Sequence, residues 1–213
     1  MSPLTASSPL WLYFLLVAGI IVLPGMDMAF VLASALAGGR RAGLAAVSGL
    51  VAGGWIHVAF GALGIGLVLQ AAPGALQALL VVGSAYVAWI GWTLLRGTTA
   101  LGEQATAARP AHATFGRAVA TCLLNPKAYM FTLAVFPQFL RGSGAAVASQ
   151  MLAMAAITSA TQLAVYGGLA LAAGRARSWL RGNPALQRAA GRGVGLLLVA
   201  AAAWTLAHGL LPR

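Results

Sequence analysis

The sequence predicts an all-α integral membrane protein with six transmembrane helices in two inverted three-helix repeats, helices 1 and 4 being broken at Pro24-Gly25 and Asn125-Pro126. Three observations carry this. The first is composition: of 213 residues 61% are hydrophobic and 7% charged, against about a quarter charged in a soluble domain. Thirteen Lys and Arg face only two acids, Asp27 and Glu103. So few charges cannot cover a soluble domain of this size, and the hydrophobicity excludes disorder. The net charge of +11 does not point to nucleic acid, because the basic residues interrupt apolar runs instead of sharing a polar face. The second observation is the length of those runs. The third is that two of them carry a proline and a charge deep inside.

The runs read in order as follows. Leu10 to Ala37 is a span interrupted only by Pro24-Gly25 and Asp27. Ala42 to Leu95 holds 54 residues without a charge, more than twice the roughly 20 that cross a bilayer. Ala71-Ala72-Pro73-Gly74 reads as a turn, which divides this stretch into helices 2 (about 43–70) and 3 (about 74–95). Phe115 to Leu140 is the fourth span, interrupted only by Pro126 and Lys127, with Arg117 near its start. Gly142 to Gly174 and Gly193 to Pro212 are the fifth and sixth. Repeat 1 thus covers about 8–96, a linker about 97–114 and repeat 2 about 115–211 of a single membrane domain, 1–213. Ala33-Ser34-Ala35 fits a signal-cleavage pattern, but the first ten residues contain no basic residue and the pattern follows an intramembrane acid, so the first span is expected to stay attached.

Arginines set the orientation. Arg40, Arg41, Arg96, Arg109, Arg117, Arg175, Arg177, Arg181, Arg188 and Arg192 fall on one side of the six spans, Arg141 and Arg213 on the other. Basic residues accumulate in the cytoplasm, so both termini are expected outside. The excess is a topology signal before it is a lipid-binding one. Trp11 and Tyr13 opening span 1, and Trp92 closing span 3 beside Arg96, suit interfacial anchors.

Three spans followed by three make any internal repeat inverted. A shift of 101 positions lays Pro24-Gly25 on Asn125-Pro126, Asp27 near Lys127 and Phe30-Val31-Leu32-Ala33 on Phe131-Thr132-Leu133-Ala134. Proline removes a backbone donor and clashes with the preceding turn, and in lipid the freed carbonyl must find another partner. Breaks at matching places in two halves point to a transporter's binding site. At a rise of roughly 1.5 Å per residue, Asp27 lies about 25 Å from the outer edge and about 15 Å from the inner one, and Lys127 lies about 15 Å from the inner edge.

Each candidate has a plain alternative. Asp27 and Lys127, ionisable and in the membrane, are functional candidates by default; the alternative, an ion pair pinning helices 1 and 4, gains little because both charges lose water. A buried carboxylate such as Asp27 is also a candidate proton carrier. His57 shares a stripe with Gly49, Gly53 and Gly61, and stands either at a cavity or in a packed core. Small residues at that spacing permit close packing within the chain or between two chains, as in a homodimer. No cluster of His, Cys and acids supports a metal site. Cys122, the sole cysteine, reads as an inert buried thiol. Gly142-Ser143-Gly144 is no nucleophile elbow and reads as an outer loop. Tyr86, Tyr129, Tyr166, Ser159 and Gln162 are polar positions within spans, either lining a cavity or bonding to a neighbouring helix. No catalytic set emerges.

Several segments together resemble the LysE/RhtB family of bacterial amino-acid exporters over nearly the whole chain. They are Pro24-Gly25-Met26-Asp27, Gly39-Arg40-Arg41-Ala42-Gly43-Leu44, Ala85-Tyr86 with Gly91-Trp92 and Arg96, and Leu124-Asn125-Pro126-Lys127-Ala128 followed by Phe136-Pro137-Gln138-Phe139. Met26 stands where the family usually has a second proline, which restores a backbone donor and predicts a softer kink. The resemblance implies six spans in the inner membrane and efflux of amino acids or related small metabolites driven by the proton motive force. It needs no cofactor. By carry-over, Pro24, Gly25, Asp27, Asn125, Pro126 and Lys127 line the central site, with His57 and Tyr129 as further candidates. Competing readings are transport of another solute or ion on the same fold, or a membrane protein that does not transport.

Overall fold

The computed structural model describes residues 10–62, 73–96, 110–140, 145–180 and 183–210, and these are helical, with no strand among them. The first half of the expected Ala71–Gly74 turn, residues 63–70 of expected helix 2, most of the linker and the Gly142–Gly144 loop lie outside the described residues, as do Arg109, Arg141, Arg181, Arg213 and Glu103; Pro73 and Gly74, expected in that turn, open a helix instead.

Helix α1 (Leu10–Val22) stops before Pro24, and α2 (Met26–Ala62) begins after Gly25. The first span is therefore interrupted over three residues, not softly kinked. Met26 occupies the first helical position, where a proline is tolerated, so replacing a proline there does not mend the break: the donor missing from α1 belongs to Pro24. Within α2 a single residue, Gly39, leaves helical geometry at φ 76° and ψ −169°. Only glycine adopts such a φ without strain. The expected loop between spans 1 and 2 is thus one kinked residue, and Arg40 and Arg41 already belong to the next helix.

Helix α3 (Pro73–Leu95) matches the third expected span. The fourth is split into α4 (Ala111–Leu123) and α5 (Pro126–Phe139). The fifth comprises α6 (Ala145–Gln162), one π-helical turn (Leu163–Gly167) and α7 (Gly168–Leu180). Helix α8 (Pro184–Leu210) starts nine residues before the expected Gly193. Asn183 caps it, its side chain accepting the Leu186 N–H at 3.1 Å, and Pro184 sits at the position prolines favour. Arg188 and Arg192 consequently lie on a helix and not in a loop. Counting apolar residues missed this start because an N-cap is a local signal, independent of hydropathy.

Two described segments are long and apolar enough to cross a membrane, Met26–Gly61 and Val147–Arg177. The exterior agrees with lipid surroundings: all six tryptophans are exposed, Trp179 at 72% and Trp11 and Trp204 at 65% each, a distribution suited to membrane interfaces and not to water. Trp92 carries the Arg96 guanidinium over its ring at 4.8 Å. Tyr13 does not behave as an anchor. It is fully buried, ringed by Phe131, Phe136 and Phe139 with centroids 5.4–6.0 Å away.

Helix α2 is the hub, lying against α4, α6 and α7, while α3 lies mainly against α8. The glycine stripe makes the first of these contacts. A side chain at Gly49 would strike the Phe115 carbonyl and Ala118 of α4, one at Gly53 would strike Cys122, and one at Gly61 would strike Phe136 of α5. The stripe therefore serves packing inside the chain. Gly91 and Gly195 play the same part between α3 and α8, each facing the other's carbonyl. Gly83 of α3 abuts the Leu124 carbonyl at the α4–α5 break. Gly83→Ala places a methyl group against backbone that cannot rotate away, an overpacking of about 1–3 kcal/mol. Its expected result is a thermal midpoint several degrees lower in detergent; an unchanged midpoint would show that the break has room to shift.

Candidate functional site

The two breaks lie close together around one cavity of about 60 Å³, room for about four waters. Its lining includes Asp27, His57, Asn125, Lys127, Gln162 and Tyr166.

The half-helices set the charges. Asp27 is the second residue of α2, next to the partial positive charge of a helix N-terminus. Lys127 is the second residue of α5, after the cap Asn125, whose Oδ1 accepts the Lys127 backbone N–H at 3.0 Å. The two residues are equivalent helix positions, which sets the register between the breaks at 100 instead of the expected 101. A cation at an N-terminus opposes the helix dipole. Lys127 resolves this by reaching to the other break: its Nζ donates to the carbonyls of Ile20 at 2.8 Å and Leu23 at 3.0 Å, at the C-terminal end of α1. Gly25 leaves space for it, since a Cβ there would sit 3.1 Å from Nζ.

The Ile20 contact follows from the sequence chemistry. In an unbroken helix the Ile20 carbonyl would receive the N–H of residue 24, and Pro24 has none. The same deficit arises in the second half, where Pro126 cannot serve the Cys122 carbonyl. That oxygen accepts instead from the Asn125 N–H at 3.1 Å and from His57 Nε2 at 3.1 Å. Each proline-stripped carbonyl is thus served by a side chain from the opposite half of the chain. A carbonyl only accepts, so His57 carries its proton on Nε2, and in the neutral ring Nδ1 is a bare acceptor.

The expected Asp27–Lys127 pair is consequently not a closed ion pair. The ammonium is spent on backbone carbonyls, and Asp27 Oδ1, 6% exposed as a residue, has no hydrogen-bond partner. His57 Nδ1, Asn125 Nδ2 and Gln162 Oε1 share that state. Of the remaining sequence candidates, Pro126 is buried behind the lining, Pro24 is exposed and Gly25 half-buried. Tyr129 stands one layer back, its ring edge-on to His57 at 4.5 Å.

Other polar residues divide as their chemistry allows. Ser159 accepts from Trp55 Nε1 at 3.0 Å and ties α6 to α2. Tyr86 lies beside Trp89. Cys122 is a buried free thiol. Tyr166 and Gln162 line the cavity, as does Tyr13, which sequence reasoning sent to the membrane surface. Thr158 donates to the Met154 carbonyl, so the Tyr13 hydroxyl donates to Thr158 Oγ1 at 2.8 Å. No sequence signal distinguishes this tyrosine from an anchor, because both uses need an aromatic ring with a polar tip.

Comparison with known proteins agrees with this architecture. The chain is 31% identical over 203 residues to an uncharacterized membrane protein of Pseudomonas aeruginosa, covering 92% of this chain and 94% of that one. It is 28% identical over 191 residues to a homoserine/homoserine lactone efflux protein of Salmonella typhimurium, covering 89% and 92%. It is 29% identical over 123 residues to a leucine efflux protein of Klebsiella pneumoniae, covering 57% and 58%. No solved structure matches. The family of LysE type translocators matches residues 18–209. The chain therefore belongs to the LysE type translocator family, and it is a membrane transporter and not an enzyme.

Proposed function

We propose that this protein exports amino acids or closely related metabolites across the bacterial inner membrane, by alternating access coupled to the proton gradient. The observation that carries the reading is a cavity between two broken helices, walled by the chain's only membrane acid and only lysine. A zwitterion needs both signs of charge and free helix ends to replace its water, and this cavity offers them. Relatives named for efflux of homoserine, its lactone and leucine set the substrate range to test first. The chain is read as one domain of six spans, two inverted three-helix repeats whose breaks meet at the cavity, with both termini outside.

The test is uptake of labelled leucine, homoserine and homoserine lactone into inverted membrane vesicles, with and without an imposed proton gradient. Accumulation above vesicles lacking the protein, abolished by a protonophore, is the expected result. Accumulation that survives the protonophore removes proton coupling, and transport of none of the compounds in the wider panel of amino acids removes the reading itself.

A further inference from the structure

Resting on that reading, we propose that Gln162 is a specificity-determining residue, which together with Asp27 and His57 receives the ammonium group of the transported amino acid.

Gln162 ends α6 and opens onto the π-helical turn Leu163–Gly167. Such turns are rare inside α-helices and recur at functional sites. Thr158, Gln162 and Tyr166, spaced by four, all reach the cavity. The Gln162 side chain is 5% exposed, yet its Oε1 has no hydrogen-bond partner. A buried hydrogen bond that the protein itself leaves unmade is unfavourable, and a native structure keeps one where something else completes it. The backbone across from it is shaped for the amide: a Cβ on Gly54 of α2 would stand 3.1 Å from Oε1. Glycine at 54 thus leaves the amide room at the cavity wall.

The chemistry of what completes the site follows from its unpartnered atoms. Three are acceptors: Asp27 Oδ1, Gln162 Oε1 and, because Nε2 is committed to the Cys122 carbonyl, His57 Nδ1. One is a donor, Asn125 Nδ2. All four residues line the same cavity. An ammonium group has three N–H donors and no acceptor, which matches three acceptors with one of them anionic. A hydroxyl in place of the ammonium would fill one acceptor and strand the others.

The experiment compares Gln162→Leu, Gln162→Glu and Gly54→Ala with wild type in inverted vesicles. The probes are the labelled amino acid that wild type accumulates fastest and, as competitor, its α-hydroxy analogue. Gln162→Leu is expected to raise KM for the amino acid about tenfold or more, the loss of a hydrogen bond to a charged group, with kcat less affected and Ki of the analogue unchanged. Gln162→Glu, which keeps an acceptor, restores KM to near wild type. Gly54→Ala, which crowds the amide without replacing it, shifts KM in the same direction by less. Equal losses for amino acid and analogue would assign Gln162 a structural role and overturn the inference, as would an unchanged KM. Should Gln162→Leu fail to insert, an unchanged KM in Gly54→Ala overturns it equally. Wild-type vesicles that accumulate no amino acid overturn the transport reading and this inference with it; normal wild-type uptake with unaltered selectivity in the variants overturns this inference alone.

Discussion

Asp27→Asn is expected to abolish gradient-driven accumulation in inverted vesicles while the protein still inserts and still exchanges labelled for unlabelled substrate. The argument is one of shape and charge. Asparagine keeps the volume of the side chain and one acceptor oxygen, so packing at the start of α2 is preserved and an incoming donor is still received. It loses the charge and with it the capacity to take up and release a proton. Asp27 is the only acid among the spans, is 6% exposed, and has an oxygen without a partner at the cavity. An ionisable group in the membrane is disfavoured by at least a few kcal/mol. The N-terminus of α2 offsets part of that, and the rest is retained for use. Exchange at reduced affinity with no accumulation separates coupling from binding. Accumulation at the wild-type level by Asp27→Asn removes the residue from coupling.

Lys127→Met is expected to lower both thermal stability and substrate affinity. Methionine keeps the apolar stem and removes three donors. The Ile20 carbonyl, deprived of its helical partner by Pro24, then has no donor left, and the Leu23 carbonyl loses one. Stranding a buried carbonyl is unfavourable by about 1–3 kcal/mol. The cavity also loses its only cation near the substrate carboxylate, which raises KM about tenfold, the equivalent of about 1.4 kcal/mol. The two effects are measured separately, by the unfolding midpoint in detergent and by vesicle kinetics. A lower midpoint with unchanged KM makes Lys127 a structural cap alone. Wild-type values for both would mean that neither break depends on it.

The places where the helices break are legible in the chain itself. Proline lacks a donor wherever it is found, so Pro24 and Pro126 interrupt the first and fourth apolar runs by local chemistry, and the charged residues beside them, Asp27 and Lys127, line the cavity. Asn183-Pro184 is equally legible as a helix start, but through its cap and not through hydropathy. The first kink is harder: Gly39, the one glycine with a positive φ among the described residues, carries no mark in the sequence that sets it apart. Its stability comes from elsewhere, since Arg177 of α7 donates to the Leu36 carbonyl at 3.1 Å across the kink.

What the sequence by itself determined is therefore the class of protein, its apolar spans, and the residues whose backbone chemistry forces a break. What only the tertiary structure decided is who repairs each break and what is left over. Lys127 reaches Ile20 across 107 positions and His57 reaches Cys122 across 65. Those distances close only when helices pack, so no local pattern announces them. The same packing commits the lysine to carbonyls and one histidine nitrogen to another. By doing so it leaves Asp27, His57 and Gln162 facing the cavity with acceptors still open, because a hydrogen-bonding group spent on the backbone is no longer available to its neighbour.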